Sequence, residues 1–334
     1  LFCAHRGEVS ATAMNDFFSG DLRLMGILPQ RMSKAASSGL TVMTAIVGLN
    51  APVTRYLGGN DTRFLAAYQL GLQGTVPLRE AYLSRQFTPP GESGWIKNLI
   101  VGRFTIPFGL GTDEHRTYTR IQNKSSIYDF EMGAMISGDA TYWVHHDFAL
   151  TTGFQSGGAF SSNDVPYALI ANLRFTPPMM PFSLGGSASV HRSMKLEYNP
   201  RSVSLYAGLS LDKVTQVFAN GAMLGEVQIA KGWNNTAAPI SNQQLVKFGD
   251  DTFFGYVKDS QSFGAYLLAT WEVTRRWAPF YKYDRLVFDQ RFPADAFTRH
   301  ALGVKYFFDG HLSLSGRYEV SKAGIPAIKE LGTS

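Results

Sequence analysis

Between residues 127 and 155, apolar side chains return at every second position. Phe130, Met132, Ala134 and Ile136 alternate with Asp129, Glu131, Gly133 and Ser137. Beyond Ser137-Gly138-Asp139, which reads as a tight turn, Tyr142, Val144, His146, Phe148, Leu150, Thr152 and Phe154 alternate with a polar set containing Thr141, His145 and Asp147. Successive side chains of a strand point to opposite faces, so this is an amphipathic hairpin. One such hairpin suits a soluble sandwich as well as any other β architecture. The choice is narrowed by how often the pattern returns.

It returns along most of the chain. Phe64, Ala66, Tyr68, Leu70 and Leu72 form one apolar row, Tyr167, Leu169, Ala171, Leu173 and Phe175 a second, and Phe182, Leu184, Gly186, Ala188 and Val190 a third. Further rows run through Val203 to Leu211, Phe263 to Val273, Tyr281 to Val287, Leu302 to Phe308 and Leu312 to Val320. About 16 strands (range about 14 to 18), joined alternately by short turns and longer loops, are the signature of a transmembrane antiparallel β-barrel, apolar outside and polar within. The fold expected is therefore all-β, one barrel domain over residues 1–334, with a poorly patterned N-terminal part (1–39) and a long loop (232–262). The expected turns are Ser137-Gly138-Asp139, Pro177-Pro178, Asp212-Lys213, Arg275-Arg276 and Asp309-Gly310. With the short turns at one end, the strand ending at Val320 runs away from that end. A further strand is then expected, either residues 322–334 or one outside this sequence.

Composition agrees with this reading. Gly at 33 residues, aromatics at 13% and charged residues at only 17% suit strands, turns and an aromatic belt. No run of about 18 apolar residues is present to span a membrane as a helix, but a closed barrel satisfies its backbone groups between strands. The single Cys3 excludes an internal disulfide, a four-cysteine metal site and a Cys-x-x-Cys-His haem attachment. No cofactor is thus expected in this chain. No leader is visible, so an exported form would be the processed one.

Catalytic signatures are missing. His145 and His146 are adjacent on a strand and point to opposite faces, so they cannot close on one metal ion. No Gly-x-Ser-x-Gly, phosphate loop or His-Glu-x-x-His occurs. The chain is expected not to be an enzyme. Its net charge of +5 is dispersed along the sequence, unlike the clustered basic face of a nucleic-acid binder.

The polar rows supply the candidate lumen-lining residues: Arg63, Arg103, Glu131, Arg174, Lys282, Asp284, Lys305, Arg317 and Glu319. Their excess of positive charge would make the lumen weakly anion-favouring or complementary to an acidic guest. Alternatively, Arg317 with Glu319 and Lys282 with Asp284 neutralise one another.

Gly102-Arg103-Phe104-Thr105-Ile106-Pro107-Phe108-Gly109-Leu110 resembles a stretch of Gram-negative outer-membrane porins, a strand ending in Gly-(Arg/Lys)-Phe followed by Pro-aromatic-Gly. Its continuation, Asp113 to Arg120, resembles the porin-like sheaths of porin-cytochrome electron conduits, in which a barrel encloses a multihaem cytochrome. These resemblances imply a Gram-negative outer-membrane location. Pro107, Gly109, His115, Arg116 and Arg120 become candidates either for a structural turn at the rim or for a loop folded inward along the path.

The function expected is a passive channel for small solutes, weakly favouring anions. The alternative is a sheath around a multihaem cytochrome, which would bring the haem with it. The expected partners are the lipid bilayer and small solutes or anions, with self-association compatible with either function.

Overall fold

The computed structural model describes residues 2–14, 18–29, 39–53, 61–69, 78–89, 92–110, 130–152, 167–192, 199–214, 221–231, 243–248, 251–256, 261–287, 290, 296–308 and 312–323. Nearly all of them are strand. In chain order these are β1 (Phe2–Met14), β2 (Phe18–Pro29), β3 (Gly39–Pro52), β4 (Thr62–Gln69), β5 (Leu78–Gln86) and β6 (Asn98–Thr105). Then come β7 (Phe130–Thr141), β8 (Val144–Thr151), β9 (Tyr167–Phe175), β10 (Phe182–Arg192), β11 (Arg201–Ser210) and β12 (Ala222–Lys231). The last six are β13 (Gln243–Phe248), β14 (Asp251–Tyr256), β15 (Gln261–Thr270), β16 (Trp277–Val287), β17 (Ala296–Phe307) and β18 (Leu312–Ala323).

Among the described residues, sixteen strands form one closed barrel, each paired with its sequence neighbours and β12 with β15. Closure comes from antiparallel pairing of β1 with β18, Phe2 opposite Ser321 and Ala11 opposite Leu312. The β13–β14 hairpin is a separate two-stranded sheet inserted between β12 and β15. Within the poorly patterned residues 1–39 lie two full barrel strands, β1 and β2, and residues 232–262, expected as a loop, contain a hairpin. The strand that ends at Ala323 already has β1 beside it, so the seam closes with both strand ends at the end of the barrel that carries the longer connections. Residues 324–334 lie outside the described part.

The alternation seen in the sequence decides which face meets what. On β11, Val203, Leu205 and Ala207 face outward, and Leu205 is 61% exposed, whereas inward-facing Ser204 is fully buried. On β10, Leu184, Ala188 and Val190 face out and Ser187, Ser189 and His191 face in. An exposed apolar outside with a buried polar inside inverts the arrangement of a water-soluble domain. At the end with the shorter turns, Trp95, Tyr142, Trp277 and Phe308 are exposed around the outside. Their rings are large and amphipathic or apolar, which suits the boundary between hydrocarbon and headgroups.

Local turn chemistry differs from expectation at one hairpin. Ser137-Gly138-Asp139 is the end of β7, and the turn is made by Tyr142 and Trp143. Gly138 sits where the backbone of residues 94–95 crosses β7, and a Cβ there would lie 2.0 Å from the Trp95 carbonyl oxygen. The glycine thus marks a close approach. Pro177-Pro178 and Arg275-Arg276 lie in turns, and Asp212-Lys213 in a single 3-10 turn, Leu211–Lys213. Asp309-Gly310 lies outside the described residues.

Candidate functional site: the lumen and its inserted segment

β6 departs from simple alternation, and the departure positions the site. Asn98, at the short-turn end of its inward row, is polar, but further along that row Ile100 and Phe104 are apolar where a wet lumen would call for polar groups. The explanation lies just beyond the strand. Residues 106–110 leave the sheet and fold into the barrel, so that Ile106 and Phe108 are buried with Phe104 against Ala149, Ala168 and Ile170 of β8 and β9. Tyr82, Ile100 and Met135 complete this internal apolar cluster. Burial of Phe104 and Phe108 contributes on the order of 2–3 kcal/mol each, enough to hold a short segment against one wall.

Pro107 and Gly109 allow that path. Gly109 has φ of +71°, a conformation unfavourable for residues with a Cβ. Its amide donates to Ser187 Oγ at 2.9 Å, and the next amide, that of Leu110, donates to Glu226 Oε1 at 3.1 Å. Ser187 and Glu226 stand near the middle of β10 and β12, so the segment reaches mid-height of the barrel. Gly109 is therefore an interior contact, not a rim turn. His115, Arg116 and Arg120 lie outside the described residues.

The anchoring groups are held by a polar network on the inner wall. Glu226 Oε1 also accepts from Ser204 Oγ at 2.7 Å and Gln228 Nε2 at 2.8 Å. Ser187 Oγ donates to Asn172 Oδ1 at 2.8 Å, Tyr206 OH donates to the same oxygen at 2.6 Å, and Asn172 Nδ2 donates to Asp147 Oδ2 at 3.2 Å. Nearer the long-connection end, Glu131 accepts from His191 Nε2 at 2.9 Å and from Thr151 Oγ1. At the other end, Asp139 joins Lys97 Nζ at 2.6 Å and His145 Nδ1, and His145 Nε2 meets Thr176 Oγ1 at 3.1 Å. His146 faces the opposite way, beneath Trp95, with Nε2 2.8 Å from the Trp95 carbonyl oxygen. The two histidines are separated by the sheet, as the strand geometry requires.

A second charged array lines β16 to β18. Arg299 Nη2 binds Asp284 Oδ2 at 2.9 Å, and its Nη1 lies 3.9 Å from Glu319 Oε1. Arg317 Nε binds the same Glu319 oxygen at 3.0 Å. Alternating charges thus run along the wall as Asp284, Arg299, Glu319 and Arg317. Of the expected lumen residues, Glu131, Asp284, Arg317 and Glu319 are on this inner surface, with Arg174, Lys282 and Lys305 on inward positions of β9, β16 and β17. Lys282 Nζ lies 5.1 Å from the Phe280 ring centre and Lys305 Nζ 5.0 Å from that of Phe307. Arg63, opposite Ser84, is exposed near the short-turn end and paired with Asp61 at 3.1 Å.

Arg103 is the exception. It pairs in register with Met132 and shares the outward row with exposed Val101, while the inward position next to it is Phe104. Its guanidinium lies 5.9 Å from the Phe130 ring centre, and its Nε donates to the Arg79 carbonyl at 3.1 Å. With Leu99 and Val101 on one face of β6, Ile100 and Phe104 on the other, and one longer polar side chain on each (Arg103 and Asn98), alternation does not separate the faces. Arg299 was overlooked for a related reason. Phe297 to His300 alternates weakly, so the sequence pattern marks this strand only from Leu302, although Arg299 has the parity of Lys305.

No protein-family model matches this chain, and no characterised protein matches it in sequence. Solved structures do match in fold. The outer-membrane channel DcaP of Acinetobacter baumannii superposes with a TM-score of 0.55 over 96% of both chains at 12% identity. Salmonella typhi OmpF, in a complex with daunomycin, gives 0.55 over 96% of both chains at 9% identity. An anion-selective porin from Comamonas acidovorans gives 0.53 at 10% identity, over 96% of this chain and 98% of that one. The fold of this chain is the porin β-barrel.

Proposed function

We propose that this protein is an outer-membrane channel of a Gram-negative bacterium that lets small solutes cross passively through a lumen narrowed by its own chain. The observation that carries the reading is the inward course of residues 106–110, bonded to Ser187 and Glu226 at mid-height. A barrel of sixteen strands leaves an aqueous lumen, and a segment held at mid-height narrows it. Short turns at one end and long connections at the other support an orientation with the long connections outside the cell.

The same segment argues against a sheath. A multihaem guest needs the lumen to itself, whereas here mid-height contacts are made within one chain. The exposed inner charges support a weak preference for anions. Glu131, Glu226, Asp284 and Glu319 are buried behind their partners, while Arg174 stays exposed and Lys282 and Lys305 partly so, against a partly exposed Asp147. Positive groups facing water lower the energy of an entering anion.

The test is to purify the protein alone, record its visible spectrum and measure conductance in a planar bilayer. A colourless preparation giving discrete steps, with a reversal potential on the anion side in a salt gradient, is the expected result. A haem Soret band with a stoichiometric partner, or a folded protein that inserts without conducting, would overturn it.

A further inference from the structure

The outer face carries a groove. Its floor and walls come from Ala134, Phe148, Leu150, Leu169, Ala171, Ala188 and Val190 of β7 to β10, and it encloses about 590 Å³. Three alanines in facing rows leave a trough between taller neighbours. In a membrane barrel this surface meets acyl chains, so the groove alone would be unremarkable. What distinguishes it is the charge at its long-connection end.

Arg192 extends the outward row of β10 one step past Val190 and donates from Nη1 to Tyr167 OH, the residue one step past Leu169 on β9, at 3.2 Å. Arg201 stands directly opposite Val190 on β11, and Lys231 directly opposite Arg201 on β12. Arg192 and Arg201 are exposed, and all three positions have the parity of the exposed apolar residues Val190, Val203 and Ile229. On the far side of the groove, Arg79 and Arg103 flank Phe130 on the same outer face, at 5.0 and 5.9 Å from its ring centre. The sole carboxylate on β9 to β12 is Glu226, which faces the lumen.

The geometry points to a binding site for one phosphorylated acyl lipid of the leaflet on the long-connection side. Its phosphate lies between Arg192, Arg201 and Lys231, and one acyl chain lies in the groove over Ala171 and Ala188. Guanidinium and ammonium groups at the boundary attract anionic headgroups at short range, and Arg matches phosphate oxygens with two parallel N–H donors. The inference rests on the outer-membrane reading given above, which places this face in lipid. It also gives Arg103, which the sequence suggested for the lumen, a place on the outside.

The test uses the full chain in detergent, with bis-phosphoryl lipid A as the probe and native mass spectrometry as the readout. Wild type is expected to retain one lipid, and a R192Q/R201Q/K231Q variant to bind it about 10- to 100-fold more weakly. Ala188→Leu, which fills the trough but keeps the charges, is expected to weaken binding as well. Dephosphorylated lipid is expected to lose the same advantage, and millimolar inorganic phosphate is expected not to displace the lipid. Equal binding by wild type and the triple variant, or displacement by phosphate alone, would overturn the proposal. So would efficient Ala188→Cys cross-linking between copies in a Cys3→Ser background, since a second copy would then cover the groove. Conductance of the same preparations separates the two readings. The three cations face away from the lumen, so the triple variant should conduct like wild type. A wild type that fails to conduct counts against the channel, and the lipid measurement still decides the groove.

Discussion

The amide of Gly109 donates to Ser187 Oγ at 2.9 Å, joining a segment that follows β6 to the middle of β10. This bond ties the segment to the inner wall, and its acceptor is fixed in turn by Asn172. Gly109 cannot carry a side chain there without moving. An added Cβ would lie 2.2 Å from Glu226 Oε1, at a positive φ that side chains disfavour. Gly109→Val is therefore expected to detach the segment from the wall, with single-channel conductance changing by more than about twofold while the barrel remains folded on a heat-shift gel. An unchanged conductance would mean that this segment does not limit flow.

Glu226 collects three donors on one oxygen: Ser204 Oγ, Gln228 Nε2 and the Leu110 amide. Glu226→Ala strands them in a buried site, at about 1–3 kcal/mol for each group left unsatisfied. The expected outcome is noisier open-channel current and a lower unfolding midpoint in urea. Glu226→Gln keeps an acceptor and should be milder.

Asp284 and Arg299 are almost completely buried, so breaking the pair from one side should cost about 3–5 kcal/mol. Arg299→Met alone is expected to destabilise strongly, and the double replacement Asp284→Leu with Arg299→Met should recover part of the loss. Additive losses in that cycle would show that the two residues do not act together.

Leu205 and Ser204 are neighbours on opposite faces of β11. With Leu205 in lipid, Leu205→Arg should cost about 2–4 kcal/mol at mid-membrane and reduce insertion into vesicles. A soluble sandwich would tolerate arginine at an exposed site, so an unaffected variant would argue against the membrane assignment.

Lys282→Glu with Lys305→Glu is expected to move the reversal potential toward cations. Arg103→Gln, on the outside, should leave it unchanged. A shift from Arg103→Gln equal to that of the lysines would return Arg103 to the lumen.

How much of this was legible in the sequence depended on whether each face met a single environment. β9 to β11 separate lipid from a polar interior, so Leu169, Ala188 and Val203 stood out at once. β6 does not, because Ile106 and Phe108 cover its inner side, and alternation fades where Ile100 and Phe104 on one face match Leu99 and Val101 on the other. Pro107-Phe108-Gly109 after this strand fits a rim turn as well as an inward segment, and the contact of Gly109 with Ser187 decides for the second. Phe2 to Met14 hid for the opposite reason: Ala4, Arg6 and Glu8 alternate with Cys3, His5 and Gly7, so neither row is plainly apolar. Ion-pair partners such as Asp284 and Arg299 are set by register between strands, which no single-strand pattern encodes.

The seam between β1 and β18 has a consequence for biogenesis. Phe2 faces Ser321, so the contact that closes the ring joins strands 319 residues apart in sequence. Until β18 arrives, the growing sheet has two bare edges with unpaired amides and carbonyls, which cannot be left in hydrocarbon and which invite pairing with other chains. Such long-range contacts are also slow to find. An open sheet of these strands must therefore be sheltered, by water or by a helper that pairs with its edges, until β1 and β18 meet.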